Sequence, residues 1–105
     1  MAEERKKVLV TDQISEEGIE ILRKMAEVDI RVGLSPEEIV SNIGDYDALM
    51  VRSQTKVTAD IIRTGKKLQV IARAGVGIDN VDINTATHCG VMVVNAPTGN
   101  TVSAA

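Results

Sequence analysis

Residues 48–72, ALMVRSQTKVTADIIRTGKKLQVIA, carry the pattern that decides the fold. The stretch opens on a continuous apolar run, Ala48-Leu49-Met50-Val51, and closes on another, Val70-Ile71-Ala72. Between them, Thr58 stands as a cap before Ile61 and Ile62, and Gly65 stands where a short helix should stop. An apolar run of this length bounded by polar loops suits a strand covered on both faces, as in a parallel sheet. The unit reads strand, helix, strand.

Working outward, the same rhythm of about twenty residues holds along the chain. Val8-Leu9-Val10 and Val91-Met92-Val93-Val94 are further continuous runs, whereas Val28-Asp29-Ile30-Arg31-Val32 alternates, as an edge strand with one wet face would. Helix signals fill the gaps. Ser35, Pro36 and Glu38 form a capping box, with Leu34 and Ile39 as its hydrophobic staple. Ser15 with Ile14 and Ile19 repeats the staple, and Asp82 is a further cap. Gly44 and Gly90 mark stops. Five strands alternating with four helices predict an α/β, flavodoxin-like three-layer sandwich. Its parallel sheet has the order 2-1-3-4-5, with the alternating strand at an edge. A last helix is expected to open near Thr101, so the organisation reads as a domain over residues 1–100 and the start of a truncated helix over 101–105.

Composition agrees and excludes other classes. The chain has 105 residues, 44% hydrophobic and 26% charged, which is ordinary for a globular domain and not for a disordered one. Val and Ile far outnumber Leu, Phe and Trp are absent, and Tyr46 is the only aromatic, so a buried sheet is favoured over a helical bundle. The net charge of −3 without a basic run argues against nucleic acid and anionic membrane as partners. A single cysteine, Cys89, forms no internal disulfide and no multi-cysteine zinc site. No apolar stretch approaches the ~20 residues of a spanning helix. The charged opening from Met1 to Lys7 leads into no signal core, so a cytoplasmic location is expected.

Open parallel sheets bind ligands outside the carboxyl ends of their strands. That rule gathers Asp12-Gln13, Arg52 to Lys56, Gly75 to Asn80 and Asn95 to Asn100 at one edge. Arg52 and Arg73 end the third and fourth strands, which should be neighbours, so their guanidinium forks are expected to converge on one anion. Ser53 adds a hydroxyl, and Gly75-Val76-Gly77 lets backbone N–H groups approach an oxyanion. The competing reading, two solvated surface arginines, is weakened by the glycine turn that follows.

Gly75-Val76-Gly77-Ile78-Asp79-Asn80 is not read as a dinucleotide loop. Asn80 replaces the third glycine, and the next strand ends in Asn95 instead of an acid. His88, the only histidine, belongs near the end of a helix at the opposite edge, too far away to serve as a base there. Cys89 is expected to be a small, partly buried hydrophobe, and Lys66-Lys67 a solvated pair. Asp12, without a second acid beside it, suits a turn or capping role more than a metal. No residue qualifies as catalytic and none as a metal ligand.

Three of these stretches resemble the N-terminal substrate domain of the D-2-hydroxyacid dehydrogenases. They are residues 51–58 (VRSQTKVT), 71–82 (IARAGVGIDNVD) and 94–105 (VNAPTGNTVSAA). With the opening Lys7-Val8-Leu9-Val10-Thr11-Asp12, the likeness leans toward the phosphoglycerate-oxidising branch. It implies an NAD-dependent oxidoreductase that converts 3-phosphoglycerate to 3-phosphohydroxypyruvate in serine biosynthesis. It also implies a small phosphorylated hydroxy acid as ligand and a homo-oligomer. Carried onto this sequence, it puts Arg52 and Ser53 at the phosphate end of the substrate and Arg73, Gly75 and Val76 along its carboxylate. Asn100 becomes a substrate contact, and Val76 a position that touches the cofactor. The resemblance makes the helix opening over 101–105 a truncated interdomain helix, and the family's catalytic Arg, its Glu–His pair and its NAD-binding domain find no counterpart in these residues, so this chain alone is expected to be inactive. A different D-2-hydroxyacid or hydroxypyruvate/glyoxylate reductase, or a corepressor-like peptide-binding relative, are the alternatives. A receiver domain is excluded by Arg52 ending strand three and Asn95 ending strand five. A flavodoxin is excluded by the acidic, glycine-free loop from Thr11 to Glu17.

Overall fold

A computed structural model describes residues 6–52, 54–74 and 80–96 of the chain. The strands are β1 (Lys7–Val10), β2 (Glu27–Ile30), β3 (Ala48–Val51), β4 (Val70–Ala74) and β5 (Met92–Ala96). The helices are α1 (Glu16–Met25), α2 (Pro36–Asn42), α3 (Ala59–Thr64) and α4 (Ile83–Cys89). All strand pairs are parallel, and the order is β2-β1-β3-β4-β5, as the sequence rhythm requires. The expected interdomain helix over 101–105 lies outside the described residues.

Each helix starts at the residue its chemistry nominates. Ser15 accepts from the Gly18 N–H, Thr58 from Ile61 and Asp82 from Thr85. The capping box of α2 is reciprocal: Glu38 N–H donates to Ser35 Oγ at 3.2 Å, and Ser35 N–H donates to Glu38 Oε1 at 2.8 Å. Gly90 ends α4 in the left-handed conformation, φ 75°. Gly65 ends α3 for a different reason, close packing. A Cβ there would sit 3.1 Å from Ile43 Cγ1 and 3.2 Å from Leu68 Cβ. Gly44 falls inside a 3₁₀ turn, Ile43–Asp45, that continues α2 instead of following its end.

The strand pleat splits the core in two. Leu9, Leu49, Val51 and Ile71 face α2, α3 and α4, packing on Ile39, Ile43, Ile61, Ile62 and Ala86. Val8, Val10 and Met50 face α1, packing on Ile19 and Ala26. Among the described residues, α1 is the only helix on that second side. Where the sheet runs beyond it, Met92 is 61% exposed and Ala72 and Val94 are half-buried.

The edge strand differs from its expectation. Its alternation places Val28, Ile30 and Val32 on one face, yet only Val28 packs on the core. Ile30 and Val32 are exposed, because α1 crosses beside them and leaves an open groove lined also by Ile14 and Ile19.

Candidate functional site

The carboxyl edge of the sheet is organised by Asp12, which follows β1. It is 2% exposed, and its neighbour Thr11 is 1% exposed. Asp12 Oδ2 accepts the backbone N–H groups of Arg52 at 2.7 Å and Thr55 at 3.0 Å. Its Oδ1 accepts the Thr55 hydroxyl at 2.5 Å. Thr11 Oγ1 lies 3.1 Å from Thr55 Oγ1. The Thr55 hydrogen is already given to Asp12, so Thr11 is the donor of that pair. A buried carboxylate needs such donors to offset the water it has lost. This is the turn role expected for Asp12, made specific.

Asn80 holds the same loop from the other flank. Its Nδ2 donates to the carbonyls of Arg52 and Thr55, both at 2.6 Å. Backbone bonds continue the join: Val57 N–H donates to Asn80 O and Asp82 N–H to Val57 O, forming a one-residue parallel bridge between Val57 and Val81. The sequence reading grouped Thr55 and Asn80 with this edge but assigned neither a part in holding the loop.

Arg52 is the first residue past β3 and is exposed. Its Nη1 donates to Gln13 O at 3.3 Å, leaning toward α1. There it lines a cleft of about 390 Å³ with Gln13, Ile14, Ser15, Glu16 and Ala74. Glu16 means that an anion in this cleft would meet one acid as well as the guanidinium.

Arg73 lies inside β4, in register with Val51. It has the pleat parity of Ile71, so its side chain leaves on the face of α2, α3 and α4, and it is half-buried. The two arginines share the carboxyl edge but start from opposite faces. Ser53, Gly75, Val76 and Asn100 lie outside the described residues.

The start of α4 carries a negative charge. Asp82 caps α4, accepting from Thr85 N–H at 3.1 Å and from Thr85 Oγ1 at 3.0 Å. A carboxylate at a helix N-terminus disfavours a second anion there.

The remaining candidates sit elsewhere. His88 is exposed in the last turn of α4, its Nδ1 2.9 Å from Asn84 O. Cys89 is exposed, not partly buried, because α4 turns that face to solvent. Lys66 and Lys67 line a charged hollow at the amino edge with Lys6, Lys7, Asp45 and Asp47. Beside it, the Tyr46 hydroxyl donates to Asp29 Oδ2 at 2.6 Å, and the Lys7 ammonium lies 5.2 Å from the ring centre. Burial first, then the hydrogen bond and charge of Asp29, push the Tyr46 pKa up to about 12. Among the described residues no group of three or more His, Cys, Asp or Glu could hold a metal.

Residues 8–105 match the family model described as D-isomer specific 2-hydroxyacid dehydrogenase, catalytic domain. The chain is 54% identical to the D-3-phosphoglycerate dehydrogenase of Synechocystis sp. over 99 residues, 94% of this chain and 18% of that one. It is also 54% identical to that of Archaeoglobus fulgidus over 100 residues, 94% of this chain and 19% of that one. Among solved structures, the cofactor (NAD+)-bound 3-phosphoglycerate dehydrogenase of Entamoeba histolytica is similar with a TM-score of 0.80 at 33% identity. The match covers 89% of this chain and 33% of that one. A Pyrococcus horikoshii OT3 protein gives a TM-score of 0.84 at 35% identity over 88% of this chain and 28% of its own. The chain thus spans about a fifth of the length of the curated relatives it matches.

Proposed function

The chain belongs to the D-isomer specific 2-hydroxyacid dehydrogenase family, and on that premise we propose that it is the substrate-binding portion of an NAD-dependent D-3-phosphoglycerate dehydrogenase. The reaction is oxidation of 3-phosphoglycerate to 3-phosphohydroxypyruvate, the entry to serine biosynthesis, in a cytoplasmic homo-oligomer. The observation that carries this reading is the identity to enzymes of that name across nearly all of the chain.

In this reading Arg52 and Ser53 meet the phosphate end of the substrate. Arg73 and the amides of Gly75 and Val76 line its carboxylate, and Asn100 completes the contacts. An exposed guanidinium at a strand end suits a ligand that arrives from solvent and carries a dianionic group. NAD would accept the hydride. In this reading the main grip on the dinucleotide belongs to the family's NAD-binding domain, and Val76 is a position of this lobe that touches it. The proton and hydride chemistry is likewise supplied from outside this lobe, and the lobe itself provides recognition.

An amide NMR titration of the chain with 3-phosphoglycerate tests this, with D-lactate and inorganic phosphate as controls. The reading expects Arg52, Ser53, Arg73 and Gly75 to Gly77 to shift together, and 3-phosphoglycerate to bind more tightly than either control. Equal response to inorganic phosphate, or shifts confined to the Lys66–Lys67 hollow, would remove it.

A further inference from the structure

The loop that presents Arg52 is held by two side chains that account for all the backbone polar groups of its two anchor residues. The N–H groups of Arg52 and Thr55 both end on one oxygen of Asp12, and their carbonyls both accept from the amide of Asn80. Asp12 comes from the end of β1, and Asn80 directly follows residues 75–79. The loop is therefore clasped between Asp12, at the end of the first strand, and Asn80, and its position depends on both.

We propose that Asp12 and Asn80 are positioning residues of the substrate site, which fix where the Arg52 guanidinium stands without touching the ligand. The proposal rests on the reading of this edge as the 3-phosphoglycerate site. Clasping serves binding because a loop already ordered loses little freedom when the anion arrives. It also ties the Arg52–Thr55 loop to Asn80, so the end of β1, this loop and the segment leading into α4 hold together as one unit.

The test combines two measurements on the full 105-residue chain. Hydrogen exchange without ligand reads the clasp itself. The Arg52 and Thr55 amides should be protected, and Asp12→Ala or Asn80→Ala should speed their exchange at least tenfold while Met50 and Ile71 stay within threefold. Titration with 3-phosphoglycerate reads the consequence: each alanine variant should bind roughly tenfold more weakly, the scale of one lost hydrogen bond. Asp12→Asn should recover most of the affinity. Its oxygen can keep the two N–H bonds, while the Thr55 hydroxyl turns to accept from the new amide. Ser35→Ala, a remote cap that lowers stability, should leave affinity unchanged, which separates positioning from folding. If the unsubstituted chain does not bind 3-phosphoglycerate, the substrate reading falls and takes the proposal with it. If that chain binds and the alanine variants bind equally well with their loop amides exposed, the proposal alone is overturned.

Discussion

Replacing Arg52 by alanine should weaken 3-phosphoglycerate binding by roughly tenfold to a hundredfold and leave stability almost untouched. Arg52 is exposed, and its one described side-chain bond, to Gln13 O, is long at 3.3 Å. Little native structure is lost with it, so the unfolding free energy should move by less than about 0.5 kcal/mol. A hydrogen bond to a charged group contributes about 1.5–3 kcal/mol, which sets the loss of affinity because every 1.4 kcal/mol is about tenfold. Arg52→Lys should fall between, keeping the charge but losing the planar fork. Salt supplies an internal check, since the Debye length shrinks from about 10 Å at 0.1 M to about 3 Å at 1 M. The gap between the original chain and Arg52→Ala should narrow accordingly. Calorimetric titration at both salt concentrations, paired with urea unfolding, measures all of this. An Arg52→Ala chain that binds within twofold of the original at low salt would refute the assignment of Arg52 to the anion.

The fold makes its own predictions. Leu49→Ala, at a fully buried position, should cost about 2–5 kcal/mol in urea unfolding. A loss below 1 kcal/mol would mean that the face under α2 and α3 is not the main core. Gly65→Ala should change stability by less than about 1 kcal/mol in thermal unfolding, since the close approach of its Cβ to Ile43 and Leu68, 3.1 and 3.2 Å, offsets the entropy removed from the unfolded chain. Ser35→Ala breaks the capping box and should cost about 1–2 kcal/mol. Tyr46 bears on alkaline stability. A folded pKa raised from 10 to about 12 gives a contribution intact below pH 10 and lost as pH climbs toward 12. Tyr46→Phe should flatten that decline, and an unchanged slope between pH 10 and 12 would contradict it.

The parts of the fold legible in the sequence are those with local causes. Ser15, Ser35, Thr58 and Asp82 cap because a short polar side chain reaches an N–H three residues on, and nothing distant competes. The strand order followed from continuous runs flanking one alternating run. Register was not legible. The runs at 48–51 and 70–72 do not say that Arg73 pairs with Val51, so the one-residue offset that sends Arg52 and Arg73 to opposite faces was invisible. The Asp12–Thr55–Asn80 clasp joins residues 43 and 25 positions apart, and no local pattern marks it. The nearest signal was an acid at the end of the first strand without a second acid to share a metal. The exposure of Ile30 and Val32 depends on where α1 crosses, which the alternation of β2 does not encode.

The central claim is that this chain is the substrate lobe of a dehydrogenase for a phosphorylated hydroxy acid. Grafting residues 8–105 in place of their counterpart in the Synechocystis D-3-phosphoglycerate dehydrogenase tests it most directly. The account predicts a folded chimera that reduces NAD with 3-phosphoglycerate and whose KM rises on Arg52→Ala. A folded, NAD-binding chimera that oxidises D-lactate or D-glycerate in preference to 3-phosphoglycerate would contradict it.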